Sequence, residues 1–262
     1  MLHLLTASPF TKRLSCVKFN MMINTLNETD LHRAIKTLYL VQEEGSKPEA
    51  AVRQYIADIL RPDGSIVEVQ TGSLAHLKPK LTAYMEEKRR VKVVYPLVKE
   101  KYIETLKADG KITRKKSPKK QNLYSAFGEL TALAPLLANR LLTIDILEVT
   151  VTEERKITDE PVQTTNQRRR WKKNWLKTGK RLDSICTSRS FCGKKDWLTL
   201  LPKGIRQFTV DECLALLREK EPRLTRNEVS LMLWVFLHAG FLSREKAGRA
   251  YQYQRKGGRV KS

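Results

Sequence analysis

The chain has 262 residues, and its 50 Lys and Arg against 28 Asp and Glu give a formal net charge of +22. Most of the excess lies in residues 161–262, which hold 24 basic and 8 acidic residues, so a polyanion such as nucleic acid is the expected partner. No apolar run approaches the length of a membrane span, and the cysteines and histidines are too scattered for a zinc site.

Residues 1–21 are predicted to be a disordered tail or an overextended gene start. Lys12, Arg13 and Lys18 interrupt this short apolar segment, which therefore lacks the uncharged central run of a signal peptide. A cytoplasmic location follows as an expectation, and with it reduced cysteine thiols.

The first predicted helix runs from about Asn27 and buries Leu31, Ile35 and Leu38 on one stripe. Glu28 lies one turn before Leu31, near the edge of the buried face. Two interpretations of Glu28 stay open. It either supports a functional site or is a favourable acid in the first helical turn.

A hairpin follows the helix. Residues 55–60 and 66–70 are apolar strands with polar insertions, and the turn 61–64, Arg-Pro-Asp-Gly, joins them. Period-2 alternation makes Asp58 and Glu68 face each other. Two carboxylates at this spacing suit Mg²⁺ or Mn²⁺, which bind through one or two carboxylates together with water and phosphate.

Asp58 followed by Glu68-Val69-Gln70 resembles the signature of the PD-(D/E)xK nuclease superfamily, an Asp at the end of one strand and Glu-x-Lys on the next. The resemblance implies an α/β (α+β) restriction-endonuclease-like mixed sheet flanked by helices. It also implies that Asp58 and Glu68 bind the metal and that Glu28 positions water beside it.

Gln70 departs from this signature, because the family pattern has at this position a Lys that orients water and stabilises charge on phosphate. Lys78, on a helix predicted from about residue 73 to 87, is the expected replacement, with Lys80 nearby as a nucleic-acid contact. Pro79 requires that this helix either begins near Lys78 or is kinked there.

The domain continues with a strand at residues 91–96 and a hairpin around Asp109-Gly110. Residues 114–120 form a predicted basic loop in which Lys116 and Lys119 contact backbone phosphate or stay solvated. A helix over 124–133 and a strand over 143–151 complete a mixed sheet of at least four strands. The nuclease-like domain is thus predicted over residues 22–157.

Residues 158–196 are predicted to be a linker followed by a basic, Trp-bearing segment. A helix there places Trp171 and Trp175 on one face, where they either dock in the core or stack on unpaired bases. The predicted phosphate contacts of this segment are Arg168, Arg169, Arg170, Lys172 and Lys173.

Residues 197–256 resemble a winged helix-turn-helix, and residues 257–262 form a basic tail. Thr209 caps one predicted helix, and Thr225-Arg-Asn-Glu228 is a capping box that opens the next. In this interpretation Arg226 reaches a DNA groove, and Lys246 and Arg249 on the wing contact the backbone.

This order of segments resembles an uncharacterised family of bacterial proteins over nearly everything after residue 24. The favoured prediction is a Mg²⁺-dependent DNA endonuclease that holds duplex DNA with its C-terminal part. One alternative is a DNA-binding protein of the same fold that does not cut. A second alternative is an RNA-binding protein or ribonuclease, because phosphate contacts alone do not distinguish the two nucleic acids.

Overall fold

The computed structural model describes residues 29–162, 173–248 and 250–256. Several predicted features therefore lie outside the described residues. They are the tails 1–21 and 257–262, and Glu28, Arg168, Arg169, Arg170, Lys172 and Arg249.

Six α-helices and ten strands make up the described chain. In order they are α1 (Asp30–Leu40), β1 (Lys47–Val52), β2 (Tyr55–Leu60), β3 (Ile66–Val69), α2 (Lys78–Glu86), β4 (Val91–Leu106), β5 (Ile112–Lys116), α3 (Phe127–Leu130), β6 (Leu142–Val162), β7 (Lys173–Cys192), α4 (Gly193–Trp197), β8 (Gln207–Phe208), α5 (Val210–Arg218), α6 (Arg226–His238), β9 (Leu242–Ala247) and β10 (Ala250–Arg255). Short 3-10 turns precede α2 and flank α3.

The larger sheet has seven strands in the order β1-β2-β3-β4-β6-β7, with β5 paired to β4 off this path. β3, β4 and β6 run parallel, and the other pairs are antiparallel. The fold is therefore α+β, with a mixed sheet flanked by helices, as predicted at that level. β1 was not predicted, because its residues are mostly exposed at the sheet edge and show no apolar alternation.

Helix α1 covers one face of the sheet with Leu31, Ile35 and Tyr39. These residues form a core with Val67 and Val69 of β3 and their neighbours on β4 and β6. Thr29 is the N-cap of α1, since its side chain accepts a hydrogen bond from the His32 backbone N–H. Tyr39 takes the buried position expected for Leu38, which is only partly buried.

The predicted linker and Trp-bearing helix are wrong over their described residues. Residues 158–162 belong to β6, and residues 173–192 form β7, antiparallel to β6. Trp175 lies on this strand opposite Ile157, and Trp171 lies outside the described residues. The basic loop is also partly a strand, because residues 114–116 belong to β5.

The C-terminal elements pack on the larger sheet domain through aromatic side chains. Phe127 of α3 meets Trp197 and Phe236 edge-on, with ring centroids 6.0 and 5.4 Å apart. Glu228 of α6 accepts hydrogen bonds from Ser125 Oγ at 2.6 Å and Asn122 Nδ2 at 3.1 Å. The two parts therefore share one hydrophobic core.

Capping in the C-terminal part follows the sequence prediction. Thr209 with Glu212, and Thr225 with Glu228, form reciprocal capping boxes at the starts of α5 and α6. β8, β10 and β9 form a three-stranded antiparallel sheet. Trp234 of α6 is 39% exposed and stacks on His238.

No helix within the described ranges is long and apolar enough to cross a membrane. Cys186, Cys192 and Cys213 are free thiols.

Candidate functional site

Asp58 lies where β2 and β3 separate. The ladder between the two strands pairs Ile59 with Val67 and Leu60 with Ile66. At the next position Asp58 Oδ2 accepts a hydrogen bond from the Val69 backbone N–H at 2.7 Å. The Asp58 carboxylate thus bonds to the end of β3, directly beside Glu68.

Glu68 is the most buried charged residue of the site, and 2% of its side chain is exposed. Ile66 and Glu68 alternate with Val67 along β3, so Glu68 faces α2 rather than α1. Lys80 Nζ of α2 donates a hydrogen bond to Glu68 Oε2 at 2.7 Å. The other oxygen, Oε1, is buried and has no hydrogen-bond partner among the described residues.

This environment raises the pKa of Glu68 to about 7. Burial is the main cause and the negative charge of Asp58 is the second, while Lys80 acts in the opposite direction. The carboxyl of Glu68 therefore takes up and releases a proton near neutral pH. A second positive charge close to Oε1 would favour the ionised form.

His32 connects α1 to the same carboxylates. Its Nε2 lies 2.8 Å from the Val69 carbonyl oxygen and 3.5 Å from Asp58 Oδ2. Burial opposes ionisation of Asp58, but the hydrogen bonds from His32 and the Val69 N–H outweigh it and lower the pKa of Asp58. The two carboxyl groups consequently differ in ionisation near neutral pH, because Asp58 is ionised while Glu68 takes up and releases a proton.

Tyr84 completes the site on the α2 side. Its hydroxyl is buried without a hydrogen-bond partner in the described part of the chain. Burial, followed by the charge of Glu68, raises the pKa of this hydroxyl. Contact with the Glu68 carboxyl also raises this pKa, so Tyr84 Oη lies beside Glu68. Neither Tyr84 Oη nor Glu68 Oε1 has a well-formed hydrogen bond to a described residue.

The structure does not place Lys78 at the two carboxylates. Lys78 begins α2 and is exposed, and its ammonium forms no ion pair with a described residue. Lys80, which the sequence placed among the nucleic-acid contacts, holds the predicted position beside the carboxylates. Helix geometry explains why Lys80 rather than Lys78 lies beside the carboxylates, because Leu77, Lys80 and Tyr84 are spaced by three and four residues and share one face.

Gln70 follows Glu68 by two residues, but its amide is directed elsewhere. Its Nε2 donates a hydrogen bond to the Ser73 carbonyl oxygen at 2.9 Å, and its backbone N–H bonds to the Val94 carbonyl. Sequence reasoning missed His32 and Tyr84. Tyr84 could have been predicted to face the sheet, because it lies three residues after the apolar Leu81. No local pattern predicts the contact of His32 with β3.

Asp58 and Glu68 are the carboxylates that could hold a divalent cation here, and Glu68 Oε1 is the oxygen without a well-formed hydrogen bond to a described residue. Two carboxylates on neighbouring strands are the donor set that Mg²⁺ uses when water and phosphate supply the other oxygens. Residues 29–162, 173–248 and 250–256 contain no group of three or more His, Cys, Asp or Glu that could hold a metal ion. A cation bound by Asp58 and Glu68 would therefore take more of its ligands from water and phosphate than from the protein.

Most predicted basic contacts in the described chain already have partners. Lys116 Nζ lies 2.8 Å from Glu100 Oε1, and Arg226 Nε lies 2.8 Å from Asp211 Oδ1. Lys173 Nζ lies 4.2 Å from the centre of the Trp175 ring. The remaining predicted contacts, Lys119 and Lys246, are exposed to solvent.

Comparison with known proteins places the larger sheet in a family. A family model described as a domain of unknown function (DUF8091) matches residues 29–192, from the N-cap of α1 to the end of β7. An uncharacterised protein of Treponema pallidum (strain Nichols) is 38% identical over 141 residues, which are 52% of this chain and 55% of the relative. The chain thus spans about half of that relative's length. No solved structure matches the chain. Because the family model covers more than half of the residues, the chain belongs to the DUF8091 family.

Proposed function

We propose that the protein is a metal-dependent nuclease of the PD-(D/E)xK type that hydrolyses phosphodiester bonds in DNA. The observation that carries the proposal is the triad formed by Asp58, Glu68 and Lys80. Asp58 and Glu68 lie on adjacent strands, and Lys80 Nζ lies 2.7 Å from Glu68 Oε2, while Glu68 Oε1 has no well-formed hydrogen bond to a described residue. Lys80 supplies from α2 the positive charge that Gln70 lacks.

Asp58 and Glu68 would hold Mg²⁺ or Mn²⁺. The cation would polarise a phosphate oxygen and lower the pKa of a water beside it. Asp58 is prepared for this role because its lowered pKa keeps it ionised. Glu68 would release its proton as the cation arrives, since the added charge offsets the burial that raises its pKa.

Lys80 would contribute electrostatic stabilisation. Its ammonium is held 2.7 Å from Glu68 Oε2 by the first turn of α2, so it is already positioned before substrate binds. A preorganised cation of this kind stabilises negative charge that develops on phosphate as water attacks phosphorus and the ester P–O bond breaks. His32 would hold Asp58 and the end of β3 in register through its contacts with both.

The C-terminal part would hold the duplex. Helices α5 and α6 with the three-stranded sheet resemble a winged helix, whose wing is the turn between β9 and β10. Lys246 lies exposed at the end of β9, where a backbone phosphate can reach it. Arg226 is less suited to reading a groove than the sequence implies, because Asp211 pairs with it.

A second candidate is a DNA-binding protein of the same fold that does not cut. One observation favours it. Both carboxylates already have hydrogen-bond donors, since Lys80 bonds to Glu68, and the Val69 N–H and His32 contact Asp58. The amide of Gln70 is also turned toward Ser73. In that case Lys80 would take the place of the cation.

Cleavage and metal binding together separate these candidates. Purified protein is incubated with supercoiled and linear duplex DNA, single-stranded DNA and RNA, with Mg²⁺, Mn²⁺ or EDTA. Binding of Mn²⁺ is measured in parallel by calorimetry. The nuclease proposal expects metal-dependent cleavage that Asp58→Ala and Glu68→Ala abolish, together with loss of Mn²⁺ binding. Nucleic-acid binding without Mn²⁺ binding and without cleavage would support the second candidate, and cleavage of RNA alone would make the protein a ribonuclease.

A further inference from the structure

The sheet continues well past the candidate site as a projecting arm. β3 ends at Val69, which pairs with Val94 of β4, and Val94 pairs with Asp145 of β6. Ile157 of β6 still pairs with Trp175 of β7. That pair lies about 40 Å beyond Asp145 at the usual rise of roughly 3.3 Å per strand residue. We define the arm as residues 99–106, 112–116, 150–162 and 173–184.

The two faces of the arm differ in charge. Paired residues on neighbouring strands point to the same face, and Val151, buried in the core under α1, identifies one of them. We call this face the lysine face. At the positions where strand pairing assigns a face, its charged residues are Lys101, Lys115, Glu153, Arg155, Lys177 and Lys180.

On the opposite face of the arm, acidic and basic side chains pair with one another. Glu100 pairs with Lys116, and Glu104 pairs with both Arg114 and Arg181. Arg181 additionally contacts Glu154 at 2.7 Å. These alternating charges satisfy one another, so this face has little net charge to offer a partner.

Most cations of the lysine face have no acid to neutralise them. Glu153 is already shared by Lys101, at 3.1 Å, and Arg155. Among the described residues, Lys115, Lys177 and Lys180 have no carboxylate within ion-pair distance. Burial, followed by the charges of Lys177 and Lys101, lowers the pKa of Lys180. Crowded cations of this kind repel one another, and a bound anion would relieve the repulsion.

Trp175 indicates which part of a nucleic acid this face suits. Arg155 Cζ lies 3.7 Å and Lys173 Nζ lies 4.2 Å from the centre of the indole ring. The two cations occupy the ring surface on which a base would have to stack. The ring therefore holds positive groups in place by cation–π contact, which favours contact with phosphate over contact with bases.

We propose that the lysine face of the arm binds the phosphate backbone of a nucleic acid. The inference rests on the proposed function. The arm extends past the end of β3, and its lysine face lies on the α1 side of the sheet, whereas Glu68 faces α2. The length of the arm corresponds to about one turn of duplex, roughly 34 Å.

The test compares two double variants of equal charge change in the full chain. Lys115→Glu with Lys177→Glu alters two exposed lysines of the lysine face. Lys47→Glu with Lys156→Glu, the matched control, alters an exposed lysine of β1 and one on the opposite face of the arm. Binding of a fluorescent duplex is measured by anisotropy over a range of salt concentrations, and circular dichroism checks folding.

We expect the lysine-face variant to lose at least tenfold in affinity, and the slope of log affinity against log salt to fall by about 2, because each lost phosphate contact releases about 0.9 fewer counterions. The control is expected to stay within threefold of wild type. The single variant Lys180→Gln removes one positive charge without adding a negative charge beside Glu153. It is expected to lose about threefold in affinity, and it provides the test if the double variant unfolds.

Equal losses in the lysine-face and control variants would overturn the arm as a binding surface while leaving nucleic-acid binding intact. A wild-type protein that binds neither DNA nor RNA at low salt would overturn the proposed function and the arm with it. Binding of anionic lipid vesicles in place of nucleic acid, sensitive to the same lysines, would contradict the choice of partner.

Discussion

Lys80 Nζ donates to Glu68 Oε2 at 2.7 Å, so a single hydrogen-bonded ion pair joins the first turn of α2 to β3. Burial leaves 17% of the Lys80 side chain and 2% of the Glu68 side chain exposed. A buried pair of this kind is stabilising only while both partners are present and suitably charged. The ionisation of the candidate site and the anchoring of α2 are therefore coupled.

Stability should depend on pH through Glu68. Its pKa is about 7 in the folded chain and near 4.5 when solvated, so the folded state binds the extra proton between these values. The stabilisation is fully present below pH 4.5 and is lost as pH rises through about 7. Relative to Glu68→Gln, wild type should lose up to about 3 kcal/mol of unfolding free energy from pH 5 to pH 8.

Urea denaturation of both proteins at several pH values measures this difference. Glu43→Gln, at a partly exposed acid with an ion pair to Arg61, is the control and should follow wild type. Parallel stability curves for wild type and Glu68→Gln would show that Glu68 does not titrate in this range.

Lys80 and Lys78 should contribute unequally to cleavage. Lys80 touches Glu68, whereas Lys78 is exposed on the same helix two residues earlier. If the protein cuts DNA, Lys80→Ala should reduce the rate by about 10² to 10³, the usual loss for one preorganised group. Lys78→Ala should lose no more than a few-fold. Single-turnover rates measure both, and a larger loss at Lys78 would restore the assignment made from sequence.

The substitution Gln70→Lys tests whether a Glu-x-Lys sequence, as in the PD-(D/E)xK signature, can supply the lysine of the site. Gln70 sits two residues after Glu68, but its amide bonds to the Ser73 carbonyl. In the Lys80→Ala background the new lysine is expected to recover about tenfold in rate, since it again brings a cation near the carboxylates. Rates of the single and double variants are compared under identical metal conditions. No recovery in a folded double variant would show that position 70 does not reach the reacting phosphate.

Glu228 should stabilise the chain more than Glu212, although both are third residues of capping boxes. Glu212 bonds only to Thr209 of its own helix, while Glu228 also accepts from Ser125 and Asn122. Removing a cap costs about 1 kcal/mol, and breaking further buried hydrogen bonds adds roughly 1–3 kcal/mol. Chemical denaturation of Glu228→Ala and Glu212→Ala gives the two losses. Equal losses would mean that the contacts with the sheet domain contribute nothing.

A fragment of residues 193–256 should not fold alone. Trp197 is 1% exposed in the whole chain and Phe236 is 0% exposed, and both pack on Phe127 of the larger domain. Removing that domain exposes both rings at a cost of roughly 1.5–3 kcal/mol for each side chain. Circular dichroism and amide exchange of the isolated fragment check this expectation. A cooperative melting transition in the fragment would establish an independent domain.

Local chemistry made several elements predictable from sequence. The capping boxes at Thr209 and Thr225 depend on residues three apart, and the turn at residues 61–64 depends on its own Pro and Gly. The predicted hairpin likewise brings the Asp58 carboxylate to the end of β3, beside Glu68. Each of these signals is contained within a few residues, where propensity and side-chain hydrogen bonds act directly.

The arm was decided by tertiary pairing. Residues 173–184 carry charge on both faces and show no apolar alternation, so nothing local identifies a strand. Their ladder with β6 and the ion pairs of Arg181 with Glu104 and Glu154 hold them extended. Such contacts form only when distant segments align, and a window of sequence does not contain both partners.

Lys80 in the candidate site likewise depended partly on local sequence and partly on tertiary packing. The sequence alone predicted a basic helix after the Asp58–Glu68 hairpin, and Pro79 left two possibilities, a start near Lys78 or a kink there. The structure shows that α2 begins at Lys78. Which lysine reaches Glu68 was decided only when α2 packed on the sheet. A rotation of two residues changes the direction of a helical side chain by about 200°, so packing turned Lys80 inward and left Lys78 in solvent.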